Sequence, residues 1–242
     1  LDRSNKELEE FAYIASHDLQ EPLRKITTFS ERLKEQVGAE LSAEANFYLD
    51  RMLIATENMR ILINNLLEFS RTSRHNEAYV QLNLNKMIDE VTAELELIID
   101  ETKATIEKDD LPVIEAIPSQ MRQLFGNLIA NSIKFRSPDV SPLIKISAKK
   151  LSENEKELEQ LPHDKQYYRF DITDNGIGFD QEYAIRIFQI FQRLHGKSEY
   201  PGSGIGLAIC KKIVENHNGT IYARSASNKG ATFVIFLPEN QS

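Results

Sequence analysis

The sequence contains a single cysteine, Cys210, among 242 residues. A disulfide framework and a cysteine-based zinc site are therefore excluded, and a reducing compartment is expected. The sequence also lacks any run close to the roughly 18 consecutive apolar residues that a membrane-spanning helix needs. We therefore expect this stretch to be soluble and cytoplasmic, and any membrane anchor of the parent protein to lie outside it.

Positive charge is also scarce. The 29 lysines and arginines are outnumbered by 37 acidic residues, which leaves a net charge of −8. This balance argues against a protein whose main ligand is nucleic acid, because such proteins present an excess of basic residues to the phosphates. Hydrophobic residues make up 41% of the chain, so a buried core is expected. Because the sequence begins with Leu1 and has no signal peptide, we interpret it as a piece of a longer protein.

Glycine and proline are rare in the first 74 residues, where only Pro22 and Gly38 occur. Two apolar stripes follow helical spacing there, one on each side of Gly38, and the first has the a and d periodicity of heptads. The first stripe holds Leu1, Asn5, Leu8, Ala12, Ala15, Leu19, Pro22, Ile26, Phe29 and Leu33, and the second holds Ala45, Leu49, Met52, Ala55, Met59, Leu62, Leu66 and Phe69. These features predict two long helices joined by a short turn. One hairpin alone cannot bury both stripes, so we expect residues 1–74 to form a homodimer, a four-helix bundle built from two chains.

A polar stretch at residues 72–77 predicts a linker, after which the pattern changes to mixed helix and strand. Helices are predicted at residues 83–99 and 118–135, and strands at residues 143–148, 167–173, 219–226 and 231–237. Residues 151–165 are charged and are expected to form an acidic loop at a hairpin tip. Because the helices cluster between groups of strands, we predict an α+β fold in which residues 75–242 follow the helical hairpin as a second domain.

Three groups of polar or glycine residues in the second half of the chain suggest phosphate chemistry. Asn127, Asn131 and Lys134 are spaced to share one helix face, where two carboxamides and an ammonium suit a hard cation and a phosphate. Two glycine clusters follow, at residues 174–178 directly after a predicted strand and at residues 202–206 directly before a helix. Glycine lets a backbone approach a ligand closely, and a helix N-terminus presents N–H groups to phosphate. Each signal alone also fits a polar solvated face or an ordinary turn.

Four segments, taken in order, resemble those of a known family. Residues 127–134 resemble the N box of the sensor histidine kinases, and residues 174–178 resemble the G1 box. Residues 188–193 are similar to the F box, and residues 202–207 to the G2 box. The resemblance implies that residues 75–242 form a two-layer α/β sandwich, the ATP-binding fold that these kinases share with Hsp90, type II topoisomerases and MutL.

The resemblance also implies roles for single residues, with ATP and Mg²⁺ as cofactors. Asp174 is expected to accept a hydrogen bond from the adenine amino group, which distinguishes adenine from guanine because an ionised carboxylate only accepts. Asn127 and Asn131 are expected to hold Mg²⁺, and Lys134 and Arg193 to contact the phosphates. Residues 189–201 would form a lid over the nucleotide. The other nucleotide-binding positions that the resemblance implies are Gly176, Gly178, Gly202, Gly204 and Gly206.

The first predicted helix carries a second resemblance. Residues 11–23 are similar to the H box of the same family, which implies that His17 is the phosphoacceptor. The heptad pattern agrees, since His17 falls at position f, furthest from the expected dimer seam. Asp18 is expected to fix the tautomer of the imidazole and to take its proton. The resemblance therefore predicts an ATP-dependent protein histidine kinase of a two-component system, phosphorylated at His17.

The same resemblance implies partners. The phosphoryl group would pass from His17 to an aspartate on the receiver domain of a response regulator, and no receiver-like segment follows the last predicted strand. An upstream sensor domain is expected to be missing from this stretch, which looks most like the kinase modules of phytochrome-type sensors. Glu21 departs from the family pattern, because many members have threonine or asparagine at this position. An ionised carboxylate cannot donate a hydrogen bond, so weak phosphatase activity toward the regulator is expected.

Two other interpretations remain open at this point. A serine-phosphorylating anti-sigma kinase or a MutL-like ATPase would explain the nucleotide boxes but not the hairpin that carries His17. A catalytically silent dimer would serve as a scaffold, but the near-complete boxes count against it. The histidine kinase explains both halves of the chain.

Overall fold

A computed structural model describes the backbone of residues 2–72, 77–194, 200 and 202–241. In the first two helices, side chains are described for residues 18–64 and 67. The chain divides into two compact units, Leu1–Arg74 and His75–Ser242. The first unit is purely helical and the second mixes helices with strands, so each is described in turn.

The first unit, here called the hairpin unit, consists of two long helices. Helix α1 (Asp2–Val37) continues through Pro22, and helix α2 (Ala43–Thr72) packs against it. The turn between them is held by Asn46, whose side-chain amide donates to the Gly38 carbonyl at 2.8 Å. The prediction of two long helices joined by a short turn is confirmed.

The two helices bury only a narrow strip between them. Among the described side chains, this strip holds Leu23, Ser30, Leu49, Thr56 and Leu67. The heptad stripe of α1 lies elsewhere on the helix, and its residues Leu19, Ile26, Phe29 and Leu33 are 43–65% exposed. A pair of helices has a single contact face, so the residues with heptad spacing are not the ones that hold the hairpin together.

The second unit, here called the sandwich unit, is built on a five-stranded sheet. Its helices and strands are β1 (Val80–Asn83), α3 (Leu84–Glu94), α4 (Glu96–Thr102), β2 (Thr105–Lys108), β3 (Val113–Ala116), α5 (Pro118–Lys134), β4 (Leu143–Lys150), α6 (Glu153–Leu158), β5 (Tyr167–Asp174), α7 (Gly206–Asn216), β6 (Thr220–Ser225) and β7 (Ala231–Pro238). The strand order in the sheet is β2-β4-β5-β7-β6, in which β2 and β4 are parallel and the other neighbours are antiparallel. Strands β1 and β3 form a separate antiparallel pair. Two short 3₁₀ turns, Gln181–Tyr183 and Arg186–Phe188, lie between β5 and α7.

Helices α5 and α7 cover one face of this sheet, and α3 packs against α5. Alternation along β5 points Phe170 and Ile172 toward the helices, and the Phe170 ring meets the Phe125 ring of α5 edge to face at 6.1 Å. In β7, Phe233 and Ile235 pair with these two residues and extend the same buried layer. The predicted α+β fold with a two-layer sandwich is confirmed.

Residues 151–165, expected to form an acidic loop, instead form a lobe that packs against the opposite face of the sheet. Ser152 starts α6 with a capping box, in which Glu155 accepts the Ser152 backbone N–H at 3.0 Å. The Lys156 side chain is buried, and its ammonium donates to two backbone carbonyls of the lobe. The apolar cluster that the lobe covers consists of Leu151, Leu161, Tyr167, Val234 and Phe236.

The structure also differs from the sequence-based expectations before α5. Residues 83–99, expected to form one helix, contain α3 and the start of α4, separated at Leu95 with φ −97° and ψ 6°. Strands β1, β2 and β3 were not predicted. Each has four residues, which is too short for an alternating apolar pattern to be recognised.

In the part of the chain that the structure describes, no helix combines the length and the apolar character needed to cross a lipid bilayer.

Candidate functional site

Helices α5 and α7 run antiparallel, and they carry four of the predicted binding residues: Asn127, Asn131, Lys134 and Gly206. At one end of the pair, the Asn127 side-chain amide donates to the Gly206 carbonyl at 3.5 Å. Further along, the Cys210 thiol donates to the Leu124 carbonyl at 3.7 Å. The face of α5 that carries Asn127 and Lys134 therefore lies beside the N-terminus of α7.

Asp174 ends β5 on the face of the sheet that α5 covers. Its Oδ1 accepts the N–H groups of Gly176 at 2.9 Å and Ala231 at 3.1 Å, and its Oδ2 accepts the Ser132 hydroxyl at 3.3 Å. Burial raises the pKa of Asp174, while these three donors act to lower it. A carboxylate fixed in this way presents its oxygens in one orientation, which suits recognition of a ligand amino group.

The backbone around Asp174 is packed too tightly for a side chain at Gly176, Gly178 and Gly230, and the last two also have positive φ. Gly230 has φ +76°, and a Cβ there would lie 1.9 Å from the Asp174 carbonyl oxygen. Gly178 has φ +60°, and its Cβ would lie 2.2 Å from the Ala226 carbonyl oxygen. L-residues rarely adopt this conformation, so both positions require glycine. The sequence signal for Gly230 is a glycine directly before the last strand, β7.

Two basic side chains converge at the glycine-rich loop before α7. The Lys134 side chain is partly buried, and a Cβ on Gly202 would lie 3.0 Å from its Nζ. Burial lowers the pKa of Lys134, and the positive charge of Arg193 lowers it further. The Arg193 guanidinium donates to the Tyr200 carbonyl at 2.7 Å. Two cations that disfavour each other beside a helix N-terminus form a site that favours an anion.

The same loop packs against the segment that precedes it. Gly204 has φ +76°, and a Cβ there would lie 2.9 Å from the Gln192 carbonyl oxygen and 3.1 Å from the Arg193 Cγ. Asn131 lies one turn after Asn127 on α5 and is partly exposed. The structure therefore gathers the predicted residues of α5 and of the glycine-rich loop at one end of the helix pair.

Ser132 connects this group to Asp174, because it belongs to α5 and donates to the Asp174 carboxylate. Sequence reasoning did not identify Ser132 or Ala231 as partners of Asp174. For Ser132 the signal in the sequence is its position between two predicted binding residues, Asn131 and Lys134. Ala231 contributes a backbone N–H, which its residue type does not reveal.

The predicted phosphoacceptor belongs to the other unit. His17 and Asp18 lie on α1, where the side chain of His17 is outside the described residues and that of Asp18 is exposed. Of the predicted lid, residues 195–199 and 201 are also outside the described residues. Both predictions remain expectations about these segments.

Two family models match the chain. Residues 116–241 match the family described as histidine kinase-, DNA gyrase B-, and HSP90-like ATPase, and residues 7–74 match the His Kinase A (phospho-acceptor) domain. The chain belongs to the histidine kinases. The family predicted from the four nucleotide boxes and the H box is thereby confirmed. The match over residues 7–74 accounts for the helical hairpin, which the MutL-like interpretation left unexplained.

The histidine kinase is similar to several curated proteins. Cyanobacterial phytochrome A of Nostoc sp. is 41% identical over 98% of this chain and 29% of its own length. Phytochrome-like protein Cph1 of Synechocystis sp. is 38% identical over 98% of this chain and 30% of its own length. Sensor protein kinase WalK of Staphylococcus haemolyticus is 30% identical over 96% of this chain and 37% of its own length. The chain spans about a third of the length of these relatives.

Solved histidine kinase structures share the fold. Full-length ShkA in complex with AMPPNP matches with a TM-score of 0.66 and 21% identity, covering 95% of this chain and 45% of that one. ThkA in complex with the response regulator protein TrrA matches with a TM-score of 0.61 and 21% identity, covering 99% of this chain and 65% of that one. The catalytic domain of ThkA matches at 26% identity with a TM-score of 0.53, over 67% of this chain and 97% of that one.

Proposed function

We propose that this chain is an ATP-dependent histidine autokinase that phosphorylates His17 and passes the phosphoryl group to an aspartate of a response regulator. Residues 1–74 would serve as the dimerisation and phosphotransfer domain, and residues 75–242 as the catalytic ATP-binding domain. The observation that carries the proposal is the environment of Asp174, a carboxylate held by three donors and linked through α5 to a cationic loop. This arrangement suits the two ends of an adenine nucleotide.

Asp174 is proposed to select the base. Because Gly176, Ala231 and Ser132 already hold its carboxylate, little reorganisation is needed when an adenine amino group donates to it. Guanine carries a carbonyl oxygen in place of that amino group, and an ionised carboxylate cannot donate to it. Gly178 lets the backbone turn close to the base without a clashing side chain. Selective binding of adenine nucleotides is the expected consequence.

The phosphates are proposed to lie between Lys134, Arg193 and the glycine-rich loop. Gly202, Gly204 and Gly206 place backbone rather than side chains along this loop, which leads into the N-terminus of α7. The backbone N–H groups there are not used within the helix and favour anions. Lys134 pays a desolvation penalty that lowers its pKa, and a bound phosphate would offset it.

Asn131, with Asn127 one turn before it, is proposed to supply carboxamide oxygens to Mg²⁺. Mg²⁺ suits such a sparse set, because it retains several waters and binds through substrate phosphates rather than in an all-protein cage. When bound, Mg²⁺ neutralises charge on the transferred phosphoryl group.

His17 is proposed to act as the nucleophile. One ring nitrogen attacks the γ-phosphorus in line, the bond to the bridging oxygen breaks, and ADP leaves with that oxygen. The imidazole must be neutral to attack, which its ordinary pKa of about 6.5 allows near neutral pH. Asp18 takes the proton from the other ring nitrogen. Lys134 and Arg193 stabilise the negative charge that spreads over the phosphoryl oxygens.

A homodimer through residues 1–74 is part of the proposal. The hairpin unit leaves Leu19, Ile26, Phe29 and Leu33 exposed along one stripe of α1. Soluble monomers rarely expose contiguous apolar patches larger than a few hundred Å². Two hairpins that pack stripe against stripe would bury these side chains in a four-helix bundle.

The proposed partner is the receiver domain of a response regulator. ThkA, which shares the fold, has been solved in complex with the response regulator protein TrrA. The curated relatives are about three times as long as this chain, which agrees with an upstream sensor domain outside it. A cytoplasmic location, where a diffusing regulator meets its kinase, completes the proposal.

Labelling with γ-labelled ATP and Mg²⁺ tests the proposal. The unsubstituted chain should acquire an acid-labile label, and His17→Ala should acquire none while still binding ATP. Asp174→Ala and Asn131→Ala should lose the label because they act on the nucleotide and its metal. Label that persists in His17→Ala would refute His17 as the phosphoacceptor.

A matched control comes from the same strand. Asp171 lies on β5, three residues before Asp174, but on the opposite face of the sheet, where its carboxylate pairs with Arg169 at 2.9 Å. Asp171→Asn makes a similar chemical change away from the site and should label normally. Equal loss of label in Asp171→Asn and Asp174→Ala would show a general folding defect instead of a nucleotide site.

A further inference from the structure

The two oxygens of the Asp174 carboxylate are not equivalent. Oδ1 accepts two backbone N–H groups, from Gly176 at 2.9 Å and from Ala231 at 3.1 Å. An ionised carboxylate oxygen offers two lone pairs, so both of those on Oδ1 are occupied. Among the residues that the structure describes, Oδ2 accepts one hydrogen bond, from the Ser132 hydroxyl at 3.3 Å. Oδ2 is therefore the oxygen with a lone pair to offer to a ligand, and Ser132 is the donor that holds it.

Ser132 is the one donor of the three that a side chain supplies. Gly176 and Ala231 donate through the backbone, so their bonds follow from the path of the chain. Ser132 lies near the C-terminal end of α5 and is 2% exposed, and its neighbours Leu128 and Ile133 have no exposed surface. A hydroxyl at an otherwise apolar, buried position of a helix is thus aimed at the oxygen that would meet the ligand.

The charge of Asp174 depends on burial and on these donors. Burial raises the pKa of Asp174, and the three hydrogen bonds act to lower it. The elements around it contribute Ser132 from α5, Ala231 from β7 and Ile144 from the neighbouring strand β4, none of which titrates. The next charged residue along α5 is Lys134, whose ammonium lies over an aromatic ring. Ser132 is therefore one of the groups that keep this carboxylate ionised.

The proton on Asp174 decides which base the site can accept. An ionised carboxylate only accepts hydrogen bonds, so it pairs with the amino group of adenine and rejects a carbonyl oxygen at that place. A protonated carboxyl has an O–H that can donate to such a carbonyl oxygen, as in guanine or hypoxanthine. A bound base also removes water from the carboxylate, which favours the protonated form further. Selectivity for adenine therefore requires donors that stabilise the ionised form.

Resting on the proposed function, we propose that Ser132 is a positioning residue that sets the selectivity of this site for adenine nucleotides. It acts through Asp174, because its hydroxyl orients Oδ2 and stabilises the negative charge that rejects a carbonyl oxygen. Without this hydroxyl, the backbone donors Gly176 and Ala231 still hold Oδ1. The carboxylate then stays in place, but Oδ2 is held less firmly and takes up a proton more readily.

The test uses the full chain and compares ADP with inosine diphosphate, which carries a carbonyl oxygen in place of the adenine amino group. The ratio of their Kd values measures selectivity and cancels the titration of the phosphates, which both nucleotides carry. Calorimetry from about pH 8 to about pH 4.5 should show selectivity falling with pH, because Asp174 takes up a proton. In Ser132→Ala the fall should occur about one pH unit higher, since a lost hydrogen bond raises the pKa of the carboxylate.

Ser119→Ala is the matched control. Ser119 lies on the same helix, and its hydroxyl also donates to a carboxylate, that of Glu77 at 2.8 Å. It lies about 20 Å from Ser132 along α5, so its selectivity should follow that of the unsubstituted chain at every pH. Asp174→Asn provides a second measurement, because its carboxamide does not titrate in this range. Its Kd ratio should not change with pH, with or without Ser132→Ala.

The outcomes separate this inference from the function on which it rests. Selectivity that falls at the same pH in Ser132→Ala and in the unsubstituted chain, or that is constant in both, would overturn the inference. An equal shift in Ser119→Ala would also overturn it, because the effect would not depend on Asp174. An unsubstituted chain that binds neither nucleotide would instead refute the proposed function, so the two failures are distinguishable.

Discussion

The two units of this chain bury their apolar residues in different ways. The sandwich unit encloses a layer between helices and sheet, in which Phe125, Phe170 and Ile172 have no exposed surface. The hairpin unit leaves Ile26 43% and Phe29 65% exposed. A sheet covered by helices can close a core within one chain, whereas a pair of helices has only one shared face. The proposed homodimer would bury the stripe that the hairpin unit leaves exposed.

The units also differ in how much depends on single residues. In the hairpin unit the apolar stripe is repeated over several heptads, so each member contributes a part of the same surface. In the sandwich unit, single backbone positions such as Gly230 hold the shape around Asp174, because a Cβ there would overlap the Asp174 carbonyl oxygen. We infer that dimerisation of the hairpin unit is sensitive to charge on its stripe. The unfolding free energy of the sandwich unit should be sensitive to atoms added at its tightly packed glycines.

The largest effect is expected from charge on the exposed stripe. Ile26→Asp combined with Phe29→Asp should convert the proposed dimer into monomers, because burying an uncompensated carboxylate costs several kcal/mol. ATP binding by the sandwich unit should be unchanged. Sedimentation at micromolar concentration measures the first result, and titration with ADP the second.

Arg24→Asp is the control for this variant, because Arg24 is exposed at an f position of α1, away from the stripe. It should remain dimeric. A fragment of residues 76–242 should be monomeric and still bind nucleotide. A dimeric fragment, or a double variant that still dimerises, would show that the interface lies outside the stripe.

An intermediate effect is expected from Gly230→Ala. The new Cβ meets backbone at 1.9 Å and φ is +76°, so the sandwich unit should lose about 3 kcal/mol of unfolding free energy. Gly126→Ala is the matched change inside α5, where the Cβ would meet only the Val91 Cγ1 at 3.9 Å. It should stabilise the unit by about 1 kcal/mol, the helix preference of alanine over glycine. Denaturant unfolding measures the unfolding free energy of both variants. A change in the same direction for the two would contradict this comparison.

The smallest effect is expected at Glu21, in the hairpin unit. Its carboxylate pairs with Lys25 at 2.7 Å, and it lies one helical turn after His17. An ionised carboxylate cannot orient a water by donating a hydrogen bond, and it repels an anionic phosphoaspartate. Glu21→Asn or Glu21→Thr should therefore raise the rate at which the chain dephosphorylates a regulator, with little change in autophosphorylation.

The decay of a purified phosphorylated regulator, with Mg²⁺ and without ADP, measures this rate. Lys25→Gln removes the ion pair but keeps the carboxylate, so its phosphatase activity should stay as weak as that of the unsubstituted chain. Rapid dephosphorylation by the unsubstituted chain would show that Glu21 or its neighbour Gln20 supports the reaction.

Local patterns in the sequence predicted much of the fold. Heptad spacing predicted α1, and stripes of apolar residues at helical spacing predicted α2 and α5, because the side-chain period of a helix is a property of adjacent turns. The same approach failed where a segment is short or charged. The lobe at residues 151–165 contains α6 because Leu151 and Leu161 pack on the apolar surface of the far face of the sheet.

The sequence by itself determined the long helices α1, α2 and α5, the glycine turns and the chemical types of the candidate site residues. Only the tertiary structure decided which of them meet. Asp174 accepts hydrogen bonds from Ser132 and Ala231, which are 42 and 57 residues away in the sequence. His217 accepts one from Ile117, which is 100 residues away. Such contacts carry no local periodicity, because they form only when the order β2-β4-β5-β7-β6 and the antiparallel packing of α5 on α7 bring distant segments together.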